Sequence, residues 1–435
     1  MIKLPREIRR IMKELETAGY EVYAVGGCVR DFLLGKNPLD FDLATNAKLE
    51  EMTAIFPEAE VISEKYSVIR LDYSNPENED EGIIADIATY RIDGEYSDYR
   101  RPDDVIFTEK IEEDLKRRDF TINAMADNPE KALLDPYGGR EDIRERLIRT
   151  VGDPKQRFKE DPLRMLRAVR FAAQLDFELH KSVREAIAEC SEFLMHVSRD
   201  AVRSEFEKII VTENTGKGLH LLANLNLMKY IVGDDIAGRL SRREMDSFEG
   251  LIGGIDNTFR VLERRLGAFY SCFEEKRAEQ AVDFLGFDNR TKEMLLDAIY
   301  LRDKIFFFAN EVDLKDFLAR YGRERYDYLH NLTKALCLIY DRSNIKIQAR
   351  NLMMEKVESR NDPIYIEDLA ISGQDLIDNG IAEGKKVGEL LFMLTDVVHR
   401  KPHENTKEAL LGYARKYSRN KFAAAIRNVG LLNKK

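Results

Sequence analysis

Four cysteines and six histidines are few for a chain of 435 residues, and their spacing removes two classes of chemistry. Cys28, Cys190, Cys272 and Cys337 stand far apart in apolar neighbourhoods. They lack the short paired spacings of a zinc site and the density of a disulfide scaffold, and read as reduced, buried small hydrophobes. The histidines form no H-x-x-x-H or His-Asp cluster, so a metal-dependent phosphohydrolase module is not indicated. No apolar run approaches the roughly 20 residues that a membrane helix needs. Met1 to Leu4 leads straight into charged helical sequence without a signal-peptide pattern. The expectation is a cytoplasmic protein with no membrane contact. Tandem repeats and low-complexity segments are also missing.

What is present is charge and apolar mass. Lys and Arg number 69 against 79 Asp and Glu, a net −10, and 44 % of residues are hydrophobic. That is ample for packed cores and predicts two to four domains. The charge is unevenly placed: Arg400 to Lys435 holds ten basic residues and two acidic ones. Binding to nucleic acid follows local patches rather than the average, so this segment reads either as a solvated helix face or as an RNA clamp.

Strand-like and helix-like signals alternate over the first ~125 residues. Glu21 to Val25, Phe41 to Ala44, Val61 to Ile62, Ser67 to Tyr73 and Ile83 to Tyr90 are β-prone, Val29 to Leu34 reads as a helix closed by Gly35, and Thr121 to Ala126 reads as an apolar helix after a polar turn. A turn is expected over Asn75 to Glu81 and a mobile polar loop over Asp93 to Asp104. From Asp153 onward the pattern is helical: Asp161 to Asp176, Ser182 to Leu194, Arg199 to Val211, Gly218 to Tyr230 and on through Ala424. The fold class expected is α+β, a small α/β domain followed by an all-α remainder.

Two constellations carry chemistry. Gly26-Gly27 ends a strand where Val29-Arg30-Asp31 opens a helix, which presents backbone amides, a helix N-terminus and an arginine together, as an anion site does. The spacing fits neither G-x-G-x-x-G nor the Walker A loop. In Asp40-Phe41-Asp42-Leu43 the period of two places both carboxylates on one face of a strand. Such a pair repels unless a cation lies between, and hard oxygen donors suit Mg²⁺.

The run Gly26 to Gly35 followed by Asp40-Phe41-Asp42-Leu43-Ala44-Thr45 resembles the first motif of the class II tRNA nucleotidyltransferase (CCA-adding enzyme) and bacterial poly(A) polymerase family. Four more motifs follow in order: Arg117-Arg118-Asp119-Phe120-Thr121-Ile122-Asn123-Ala124, Asp135-Pro136-Tyr137-Gly138-Gly139 with Asp142, Glu160-Asp161-Pro162-Leu163-Arg164, and Arg203-Ser204-Glu205-Phe206-Glu207. The resemblance implies a polymerase-β-type catalytic head at 1–150, a neck at 151–215 that reads the base, a body at 216–300 and a tRNA-binding tail at 301–435. It implies addition of CCA to the tRNA acceptor arm from CTP and ATP, with Mg²⁺ at Asp40 and Asp42. Gly27, Arg30, Arg118, Asp119, Asp161, Arg164, Arg167 and Arg170 would bind nucleotide, Arg118 at the triphosphate and Asp119 at the ribose 2′-hydroxyl.

Asp161, Arg164 and Glu160 stand three and four residues apart, neighbours on a helix face. Cytosine and adenine each offer an amino donor beside a ring-nitrogen acceptor, which a carboxylate next to a guanidinium complements; guanine and uracil offer the reverse. Asp86, in the Ile83 to Tyr90 strand, is either a third acidic group beside the pair or a strand residue facing solvent. A-only addition, poly(A) synthesis and an inactive tRNA binder remain as alternatives. The loop Arg91 to Arg101, with Gly94 as a hinge, is the expected movable part that would let one pocket take C and then A.

Overall fold

The structure, a computed structural model, describes residues 4–73, 82–94 and 102–419. The chain divides into two compact units: 1–256 with 280–287, and 257–279 with 288–435.

The first unit is built on a six-stranded sheet. In chain order its opening elements are α1 (Arg6–Thr17), β1 (Val22–Val25), α2 (Gly27–Leu33), β2 (Asp40–Thr45), α3 (Leu49–Ile55), β3 (Glu60–Ser63), β4 (Val68–Asp72) and β5 (Ile84–Thr89). Next come β6 (Arg91–Asp93), β7 (Val105–Phe107), α4 (Ile111–Lys116) and β8 (Ala126–Asp127). The strand order is β3-β4-β5-β2-β1-β8, with β2 and β5 parallel and the other pairs antiparallel. Period-two alternation sorts the side chains: Phe41, Leu43, Ile69, Leu71, Ala85 and Ile87 join Ile8, Ile11, Leu15 and Met52 in one core. Asp40, Asp42, Arg70 and Asp86 are left on the opposite face. A one-residue slip of β2 would bury two aspartates and expose Phe41 and Leu43, side chains whose burial contributes roughly 1.5–3 kcal/mol each. Hydrophobic burial therefore fixes the face on which the carboxylates stand.

Two expectations are corrected here. Thr121 to Ala126 is not a helix; Thr121–Asn123 forms one 3₁₀ turn and Ala126 enters β8, because Ala126 finds backbone partners in β1 and in Leu134. Arg91 to Asp93 is not loop either, since β6 pairs with β7 and the Gly94 amide donates to Asp104 at 2.9 Å. Gly94, the expected hinge, thus sits at the end of this paired ribbon, while 95–101 of the expected loop lie outside the described residues, as does the turn over 75–81.

Helices follow in this unit, among them α5 (Gly139–Glu145), α6 (Pro154–Glu160), α7 (Leu163–Leu175), α8 (Lys181–Cys190), α9 (Arg199–Ile210) and α10 (Thr215–Asn224). A two-residue parallel pair, Leu147–Ile148 with Glu178–Leu179, interrupts them. Gly218 lets α10 close on α7 and α9: a Cβ there would stand 2.8 Å from Ile209 Cγ2 and 3.3 Å from Ala173 Cβ.

The second unit is helical. Its described helices include Arg302–Phe306, Glu311–Tyr321, Arg323–Ile339, Ile345–Ser359, Gly373–Asp378, Lys385–Arg400 and Lys407–Arg419. Side-chain caps start several of them, among them Asn310 on the Val312 amide and the Ser372–Asp375 capping box. Its described cores include one around Leu314, Phe317, Tyr326 and Leu329 and one around Leu376, Leu394, Val398 and Leu410. All four cysteines are buried thiols, and no described helix is long and apolar enough to cross a membrane. In the basic C-terminal segment, Arg400 pairs with Asp396, Lys401 with Glu404 and Lys407 with Asp375. Residues from 420 on lie outside the description.

Candidate active site

A cavity of about 420 Å³ opens between the carboxylate face of the sheet and the start of α7. It gathers Gly27, Arg30, Asp42, Arg118, Asp119, Asp161, Arg164 and Arg167, together with Gly26, Asp93, Arg117, Asn123 and Phe171. Asp40 shares the face of Asp42 one pleat along, and Arg170 is not part of the lining.

At the floor, Asp42 is drawn toward its neutral form by the protein crowded around it, against the pull of Arg118, and further by the charges of Asp86 and Asp40. Such a carboxylate suits an incoming cation. Asp86 stands across the ladder from Asp42, where Arg70 grips it through Nε at 2.7 Å and Nη2 at 2.8 Å. Of the two readings left open for Asp86, the structure thus gives an acidic group beside the pair, held by an arginine. No described group of three or more ligating side chains assembles for a metal. Asp40 and Asp42 fit an octahedral ion that completes its shell with substrate phosphate and water. Gly26 is required where it is: its φ is +76°, and a Cβ would lie 2.9 Å from Arg118 Nη1 and 3.3 Å from Asp42 Oδ2.

The arginines are held by carboxylates that sequence spacing did not single out. Asp114, in α4, is 1 % exposed. It binds Arg117 at 2.8 Å and Arg118 at 3.1 Å. Burial works against its charge, and the two guanidinium groups overcome it and keep the carboxyl below the usual range. Removing one partner of a buried ionic set strands the others. Asp114→Ala is therefore expected to cost about 3–5 kcal/mol of stability, measured by urea unfolding, and to raise the KM for nucleotide triphosphate more than Arg117→Ala does.

Asp119 is opposed by burial but held at about 2 by Arg167 and Asn123. Its Oδ1 accepts from the Phe120 amide at 2.8 Å and Asn123 Nδ2 at 3.2 Å, and Oδ2 takes both Nε and Nη2 of Arg167. Asn123 in turn accepts from Arg30 Nη1 at 2.7 Å, while Asp31 holds the other edge of Arg30. Phe171 is the hub: Arg30, Arg167 and Arg170 lie 5.3, 5.5 and 4.2 Å from its ring centroid. Arg170 is turned away to Glu205, at 2.8 Å, which places the fifth motif beneath the site. Asp142 of the third motif accepts from Thr121 Oγ1 at 2.6 Å and so anchors the turn after Asp119.

Glu160, Asp161 and Arg164 do not share one helix, contrary to the spacing argument. α6 ends at Glu160, Asp161 is extended (φ −141°, ψ 97°), and α7 begins after Pro162, since a residue before proline avoids the helical region. The break still brings them together. Arg164 Nη1 reaches Glu160 at 3.0 Å and its Nη2 the Arg117 carbonyl at 3.3 Å. Asp161 is pushed up by burial against the pull of Arg164.

Residues 22–149 match the model described as the Poly A polymerase head domain, and 176–234 that of a probable RNA and SrmB-binding site of polymerase A. A CCA-adding enzyme of Anoxybacillus flavithermus is 31 % identical over 94 % of this chain and 96 % of its own length. The chain belongs to the CCA-adding enzyme family. A family member from Bacillus licheniformis is 44 % identical over 225 residues, and there the match spans 52 % of this chain and about half (55 %) of that protein's length. The crystal structure of the Bacillus stearothermophilus CCA-adding enzyme in complex with CTP superposes with a TM-score of 0.78 at 27 % identity, covering 97 % of this chain and 98 % of that one. The family's nucleotidyltransferase head implies use of a divalent metal ion.

Proposed function

We propose that the protein completes the CCA end of tRNA, taking CTP and then ATP without a nucleic-acid template. The observation that carries this is the meeting, in one 420 Å³ cavity, of the Asp42 face with the Asp161 and Arg164 edge: a site for transfer and a site for base choice within one nucleotide's reach.

The acceptor 3′-oxygen forms a bond to the α-phosphorus, and the bond from that phosphorus to pyrophosphate breaks. Asp40 and Asp42 would hold Mg²⁺, which supplies charge stabilisation at the attacking and leaving oxygens. Arg118, steadied by Asp114, meets the triphosphate, and Arg167 closes that side from α7. Asp161 accepts the exocyclic amine of C or A while Arg164 donates to the ring nitrogen. Arg170 positions Phe171 and Arg167 rather than touching nucleotide. Gly27 and Arg30 form the cavity's back wall. Residues 1–150 act as catalytic head, 151–215 as neck, 216–300 as body and 301–435 as the tail that holds the acceptor arm by phosphate contacts and shape.

Labelled CTP or ATP offered with tRNAs lacking CCA, ending in one C, or ending in CC tests the reading in one gel. Stepwise extension to CCA is expected. Addition of A alone would make the protein an A-adding member, long A tracts a poly(A) polymerase, and no addition a tRNA-binding factor.

A further inference from the structure

Inside the second unit a buried cation stands without a counter-charge. Arg350, on the helix Ile345–Ser359, is 2 % exposed, and among the described residues none of Nε, Nη1 and Nη2 has a hydrogen-bond partner. The helix Arg323–Ile339 packs beside it and adds two more unpartnered buried groups, Tyr326 Oη and His330 Nδ1. Their rings stack at 5.5 Å between centroids and 17° between planes. The packing of the two helices brings Arg350 to the same side as Tyr326 and His330, and its charge acts on each.

The surroundings offer no negative charge to spare. The carboxylates that act on Tyr326 are Asp327 and Glu358, and Arg323 holds both, at 2.9 and 2.5 Å. The other charges acting on His330 are those of Lys334 and Arg323, also positive. A guanidinium cannot shed its proton, and a buried unpaired charge is among the costliest features a fold can hold. What the cluster presents is one fixed positive charge and a set of polar groups on two helices whose other buried residues include the apolar Leu329, Ile347 and Met354. Water could take some of these groups but would leave the charge uncompensated.

We infer that Arg350, Tyr326 and His330 enclose a small monovalent anion of chloride size, which neutralises the guanidinium and joins the two helices. With Tyr326 at 2 % and His330 at 7 % exposure, a substituted phosphate or a nucleic-acid backbone has no way in, so the occupant is a free inorganic ion. The tyrosine hydroxyl and the guanidinium donate to it.

The test uses the full chain at pH 8 and constant ionic strength, exchanging sodium gluconate for sodium chloride. The wild-type unfolding midpoint is expected to rise by about 2–4 °C per tenfold increase in chloride above its Kd, and Arg350→Met to lose that dependence. Should Arg350→Met fail to fold, crystals of the wild type grown in bromide decide the matter, with an anomalous peak expected against the Arg350 guanidinium. Equal chloride responses in the two proteins, or only water in the bromide map, would overturn the inference.

Discussion

Asp40→Asn and Asp42→Asn are each expected to lower nucleotide transfer about a thousandfold or more, several kcal/mol of transition-state stabilisation, with tRNA affinity unchanged. The amide keeps the shape of the strand but removes the charge that would hold a divalent ion. The stability effect has the opposite sign for Asp42. Its folded carboxyl is raised by burial and by Asp86 and Asp40, so the folded state holds its proton more firmly than the unfolded chain does. The stability this confers is full below the ordinary carboxylate value and fades as pH climbs through the raised one. At pH 8 the wild type carries an ion that the fold disfavours, and Asp42→Asn should melt at or above it; near pH 4 the two should converge. Single-turnover rates, gel-shift binding and melting at both pH values form one data set. Substantial transfer by either variant, or a clear loss of stability by Asp42→Asn at pH 8, would contradict the assignment.

How much of the site is legible in the sequence depends on the distance between partners. Asp40 and Asp42 were legible because strand periodicity is local and their neighbours Phe41 and Leu43 declare the buried face. The Gly26-Gly27 turn was legible as well, since Gly26 adopts φ +76°, but its reason was not: the atoms that forbid a Cβ belong to Arg118 and Asp42. Asp114 went unnoticed despite lying four residues before Arg118, because an acidic residue on a short charged helix looks solvated until the fold covers it. The grip of Arg70 on Asp86 depends on the pairing of β4 with β5, and that of Glu205 on Arg170 on the packing of α7 against α9. Neither follows from spacing. The helix read over Thr121 to Ala126 failed for a related reason: backbone partners in β1 outweigh a local apolar pattern. The break at Asp161 was readable in principle, since Pro162 stands in plain view.

That break frames the second large effect expected. Asp161 is extended just before α7 and Arg164 stands in its first turn, so the pair is set by backbone geometry rather than by free side chains, a rigid edge fit to stand in for a complementary base. Asp161→Asn keeps the size and adds an N–H donor where only an acceptor stood. The amide can then meet the carbonyl of uracil or guanine, and preference for CTP and ATP over UTP and GTP should fall by about 1–3 kcal/mol, roughly tenfold to a hundredfold. Arg164→Ala should weaken discrimination too, but with a larger loss of rate, because it also releases Glu160 and the Arg117 carbonyl. The informative comparison is therefore the ratio of correct to incorrect incorporation, measured for all four nucleotides on one tRNA ending in CC. A lowered ratio in Asp161→Asn with a rate near wild type is the signature of base reading. A ratio held at the wild-type value while both variants slow equally would make the pair a structural brace between α6 and α7, and base choice would then have to lie elsewhere in the cavity.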